Sequence, residues 1–139
     1  MDRRSFRVLV FWAYLFVLLR ITVFRAGWSE NDLFSGTVIW VPFQTIFSYL
    51  TNGEIPYFVY LFIGNILWFV PFGMYLRLRG MSVRRTVLLI AALSVLIEAL
   101  QFVFGTGTSE LEDVLLNTTG GAIGCACAAL YRKLKNPSE

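Results

Sequence analysis

The sequence contains no histidine among its 139 residues. That removes the most usual general base and the commonest metal ligand together, so triad and metal chemistry are not expected and no cofactor is anticipated. Cysteine is scarce as well: Cys125 and Cys127 stand two apart in an apolar run, where a helix would point them in different directions, and they read as small packing residues. Charged side chains make up only 15% and the net charge is +3. There is no phosphate-cradling glycine loop, no zinc spacing and no nucleic-acid patch. What remains is apolar. At 57% hydrophobic the chain is too greasy for a soluble core of this length. The aromatic residues, at 17% and including Trp12, Trp28, Trp40 and Trp68, suit rings seated near lipid headgroups.

Four stretches are long enough to cross a hydrocarbon core, which takes about 20 mostly apolar residues. They are residues 8–24, interrupted only by Arg20; 56–76, without charge; 86–104, carrying only Glu98; and 114–131, without charge. A bilayer leaves no backbone polar group cheaply unsatisfied, so these spans should be helices. Ten of the twelve basic residues fall before the first span, between the second and third, or after the fourth: Arg3, Arg4, Arg7, Arg77, Arg79, Arg84, Arg85, Arg132, Lys133 and Lys135. The opposite side holds Glu30, Asp32, Glu54, Glu110, Glu112 and Asp113, with Arg25 as its only base. Basic residues collect on the cytoplasmic side of short loops, which places both termini in the cytoplasm. The arginine loop 77–85 follows from this topology and from anionic lipid.

Residues 33–53 also lack charge. A fifth crossing there would put the arginines at 77–85 outside, and Gly36, Pro42 and Gln44 fit badly with a lipid-exposed helix. The segment is expected to be re-entrant or interfacial on the outer face. The first span has the arginine-then-apolar order of a signal peptide, but Arg20 and Arg25 follow its apolar run and no small-x-small cleavage site is evident. The expectation is therefore an all-α membrane protein. It is a bundle of four transmembrane helices forming one domain over residues 1–139.

Ionisable groups inside a span usually face a bundle interior or a wet cavity. Arg20 lies about one turn before the outer end of the first span, and Glu98 about 9 Å below the outer end of the third, which makes an Arg20–Glu98 pair the first contact expectation. Glu98 and Gln101 share a helix face at a spacing of three, and Asp113 and Asn117 share one at a spacing of four. Asn65 lies in the outer half of the second span. Together these residues would line an outward-facing polar pocket, with Glu110 and Glu112 as an acidic rim. The same side chains taken singly can also serve helix packing, at about 0.6 to 2 kcal/mol per hydrogen bond.

Gly120, Gly124 and Ala128 recur every four residues, a seam on which a neighbouring helix can approach closely; packing within the chain is the expected use, homodimerisation the other. Pro71, followed by Gly73, marks a kink in the second span. Asn117-Thr118-Thr119 matches a glycosylation acceptor, but a site within a span makes that match accidental.

With these residues assembled, the chain resembles the VanZ-like family of bacterial membrane proteins. "NILWFVPFGMYL" (65–76) is similar to the family's Asn-x3-Phe-x-Pro-Phe-Gly block through Asn65, Phe69, Pro71, Phe72 and Gly73. "SVLIEALQFVFGTGTSELEDVLLNTTGGAIG" (94–124) is similar to its second block through Glu98, Gln101, Asp113, Asn117, Gly120 and Gly124. "VPFQTI" (41–46), with Pro42 and Phe43, resembles a weaker feature before them. The chain departs in having Glu110 and Glu112 where aspartates are frequent, and Gly107 where many members have arginine. The resemblance implies a role in the bacterial cell envelope, since the family's founding member is associated with resistance to the glycopeptide teicoplanin, which binds the D-Ala-D-Ala end of peptidoglycan precursors.

Three uses of the polar residues stay open at this stage. A non-enzymatic outer-leaflet pocket would bind a peptidoglycan precursor, another lipid-linked envelope component or the antibiotic. An intramembrane enzyme would use Glu98 or Asp113 as general acid or base on a lipid-linked precursor. A helical scaffold would use them only to lock packing. Membrane lipids are partners in every case and nucleic acid in none.

Overall fold

The computed structural model describes residues 2–24 and 33–136. Arg25, Trp28, Glu30 and Asp32, which entered the topology argument, lie outside the described residues. The element order is α1 (Arg3–Thr22), β1 (Thr37–Ile39), α2 (Gln44–Thr51), α3 (Ile55–Leu78), α4 (Val83–Phe104), β2 (Thr108–Glu110) and α5 (Leu111–Lys135). Among the described residues, four helices are long and apolar enough to span a membrane: α1 from Ser5, α3, α4 and α5. The all-α membrane class expected from hydropathy is the class observed. All four long helices overrun the apolar windows at one or both ends, because backbone hydrogen bonding continues past the last apolar side chain wherever polar ends can be capped, while α1 stops two residues short of its window's other end. Residues 33–53 form no long helix. They hold β1, which pairs with β2, and the eight-residue α2, about 12 Å long and too short to cross a bilayer.

The chain divides into two compact units, Met1–Val38 with Ile97–Ser109, and Ile39–Leu96 with Glu110–Glu139. In the first, α1 begins on Asp2, whose carboxylate accepts from the Ser5 amide at 2.7 Å and so serves as the N-cap. The helix keeps most of its apolar surface outward, with Trp12 and Phe16 among its exposed rings. Lipid can cover such a surface without cost. Near its end Leu18 and Val23 are fully buried, and the Phe24 and Phe104 rings stack obliquely at 5.5 Å between centroids. The backbone of Phe34 donates to Val103 at 2.8 Å, and that of Gly36 to Phe102 at 3.3 Å. Gly36 lies so close to the Phe102 main chain that a Cβ would overlap it.

The second unit is built on the α3·α5 pair. Gly120 meets the Ile66 carbonyl, Gly124 the Val70 carbonyl and Gly73 the Gly121 carbonyl, each so tightly that a Cβ would collide with backbone. The small-residue seam therefore packs within the chain, and its partner is α3. Matching positions advance together, from Asn65 beside Asp113 to Arg77 beside Arg132, so the two helices run parallel. With α4 between them in sequence, this is the order that two crossings in the same direction require. Phe69, Phe72, Ile90, Leu116, Cys125 and Ala128 fill the core. α3 continues through Pro71, which has no amide to offer the carbonyl four residues earlier.

At the far end of the pair the Arg132 guanidinium donates to the carbonyl of Arg77 at 2.7 Å, which also accepts from the Gly80 amide at 3.1 Å, and to that of Leu78 at 3.3 Å, adding donors at the C-terminus of α3. Arg132→Ala should fray this end and cost less than about 1 kcal/mol, because the contact is exposed. Faster amide exchange confined to Arg79–Met81, with an almost unchanged melting temperature, is the expected measurement.

Candidate functional site

The polar residues singled out in the sequence are divided between the two units. In the second unit the Asn65 side-chain amide donates to Asp113 Oδ1 at 2.6 Å, joining α3 to α5. Both residues are half-buried. Asp113 and Glu112 occupy the first turn of α5, where a helix N-terminus favours negative charge. One turn on, Asn117 is buried and its amide donates to the Ser94 hydroxyl of α4 at 2.8 Å. Asn117 Oδ1 is also buried and has no hydrogen-bond donor.

Glu112 is the most enclosed of the acids, at 2% exposure. Its Oε1 accepts from the Ile46 amide at 3.3 Å. Helix α2 begins at Phe43, which stands in a left-handed conformation (φ 63°) and offers no capping side chain. Glu112 thus supplies from α5 the acceptor that an N-cap residue ordinarily supplies locally. Pro42 is exposed and Phe43 half-buried beside this junction. The carboxylates of Glu110, Glu112 and Asp113 each bring an oxygen within 4.8 Å of the others.

The first unit holds the other predicted residues. The Arg20 side chain is exposed and donates to the Phe24 carbonyl, capping the end of its own helix. Gln101 is buried at 3% exposure and donates through Nε2 to the Thr22 carbonyl at 3.0 Å, leaving its Oε1 without a donor. Glu98 is buried, at 7% exposure, and its main-chain carbonyl accepts from the Ser109 hydroxyl at 2.6 Å.

The VanZ/LLP1 family model matches residues 11–132, most of the chain. The chain belongs to the VanZ/LLP1 family. It is similar to Protein VanZ of Enterococcus faecium, with 32% identity over 79 residues, or 55% of this chain and 49% of that one. The chain thus aligns with about half the length of this curated relative. No solved structure matches it. Of the residues singled out in the two sequence blocks, Gly73, Gly120 and Gly124 make the close α3·α5 approach and Phe69 and Phe72 are buried, whereas Asn65, Asp113 and Asn117 carry polar contacts.

Two participants were not evident beforehand. Ser94 precedes Glu98 by four and Gln101 by seven, a helical stripe that could have drawn attention to it. The contact of Glu112 with Ile46 bridges 66 positions and has no local signature.

Proposed function

We propose that this member of the VanZ/LLP1 family is a plasma-membrane protein, with both termini cytoplasmic, whose cluster at the start of α5 binds a lipid-linked peptidoglycan precursor and so contributes to glycopeptide resistance. The observation that carries the reading is the Asn65–Asp113 hydrogen bond, which presents a carboxylate and an amide side by side next to further acids. Such groups recognise a peptide stem or sugar by hydrogen bonding without chemistry. The buried, donor-less Oδ1 of Asn117 one turn deeper supports a ligand that brings its own donor. The concentration of basic residues at Arg77, Arg79, Arg84, Arg85, Arg132, Lys133 and Lys135 supports the orientation, with the acidic cluster facing outward.

Asp113→Asn should weaken binding of lipid-linked precursor to nanodisc-embedded protein about tenfold, the size of one lost charge-assisted hydrogen bond. In a strain whose teicoplanin resistance depends on the intact gene, the same variant should restore susceptibility at equal protein level. Unchanged binding and unchanged susceptibility would overturn the reading. A scaffold role is favoured by the fact that Asn117 and Gln101 already bridge elements, through Ser94 and the Thr22 carbonyl. It predicts instead that Asp113→Asn lowers the amount of protein in the membrane and leaves activity per molecule intact.

A further inference from the structure

The absence of histidine argued against a metal centre, yet the start of α5 presents an arrangement that nitrogen ligands are not needed to complete. We propose that Glu110, Glu112 and Asp113 together hold one divalent cation of the hard, oxygen-preferring class, calcium best by size. Two observations converge on this. One carboxylate oxygen from each residue lies within 4.8 Å of the other two, and ligands about 2.3–2.6 Å from a calcium ion are at most about 5 Å apart, so a single ion reaches all three. Separately, Glu112 is 98% enclosed, and while its Oε1 takes the Ile46 amide, its buried Oε2 has no donor among the described residues.

An ionised carboxylate can only accept, so an enclosed oxygen without a donor calls either for a proton of its own or for a positive partner beside it. The Glu110 carboxylate stands within hydrogen-bonding reach of that of Glu112, so the two share a proton or, when both are ionised, repel each other. A cation between them turns this repulsion into coordination. The bond from Asn65 fixes the orientation of Asp113 and acts as the outer support that ligating carboxylates require. Capping of α2 alone accounts for Oε1 of Glu112 and leaves Oε2 unexplained. The ion would also tie α2 to α5, since the residue that caps α2 is one of its ligands.

The inference concerns the same cluster as precursor binding but is tested with the metal alone, so its failure and the failure of that reading are told apart. Calcium or manganese chloride is titrated calorimetrically into the full-length protein in phosphatidylcholine nanodiscs, and melting temperature is followed in parallel. One saturable equivalent is expected, with a rise in melting temperature that a chelator reverses. Glu112→Gln and Glu110→Gln should each weaken binding about tenfold or more and abolish the thermal response. Glu110 is half-buried and its variant is expected to fold, so it decides the matter if Glu112→Gln does not. No saturable binding by the intact protein, or undiminished binding by Glu110→Gln, would overturn the proposal.

Discussion

Gly120→Val is expected to remove most folded protein from the membrane. The glycine lies against the Ile66 carbonyl, so the obstacle to a larger side chain is backbone and cannot turn aside. Forcing α3 and α5 apart would also loosen the contacts of Gly73 with Gly121 and of Gly124 with Val70, because all three lie along one parallel interface. Overpacking of a core typically costs about 1–3 kcal/mol, and a main-chain neighbour that cannot turn aside puts this case at about 3 kcal/mol or more. Steady-state protein level and the melting temperature of whatever can be purified are the measurements. Gly64 provides the control, since nothing lies within 4 Å of a Cβ built there. Gly64→Ala should stabilise α3 by about 0.5–1 kcal/mol, through the lower helix cost of alanine. If both substitutions behaved alike, close backbone approach would not be what the seam provides.

The second large effect is the energetic coupling of Asn65 and Asp113. In a double-mutant cycle with Asn65→Ala and Asp113→Ala, measured by reversible unfolding in detergent, the interaction energy should come to about 1.5–3 kcal/mol, the range for a hydrogen bond with one charged partner. Each single variant should cost about as much as the pair. Removing Asn65 leaves a half-buried carboxylate without its amide donor, and removing Asp113 leaves the amide without its acceptor. A coupling near zero would mean that lipid headgroups or water substitute freely at this position, and it would remove the basis for a preorganised recognition site. Asn117→Ala is a useful comparison, because its amide contact with Ser94 joins two neutral groups and should couple less strongly.

The two cases differ in how far ahead of the fold they could be seen. The small-residue rhythm at Gly120, Gly124 and Ala128 marks a close interface from the sequence alone, since spacing of four keeps residues on one helix face. It does not say which helix arrives there. Asn65 and Asp113 lie 48 residues apart, and only the parallel alignment of α3 with α5 brings them to 2.6 Å. For the residues of the first unit, helix depth pointed to Arg20 and Glu98 as a pair. The structure adds that the Arg20 guanidinium closes the carbonyl end of its own helix, an option open to any arginine in a last turn.

By itself, the sequence determined that this is a membrane protein with four spanning helices, because apolar length and charge interruptions are local and additive along the chain. It also determined the chemical character of the cluster, since acids and amides at helical spacing remain acids and amides wherever the helix goes. Only the tertiary structure decided that Glu112 lies buried and caps α2, that Ser94 meets Asn117, and that one oxygen of Glu112 has no donor. Those facts depend on which faces of separate helices come together. Helix pairing in a bilayer is set by close packing and a few hydrogen bonds between distant residues, and neither leaves a periodic trace in a single segment.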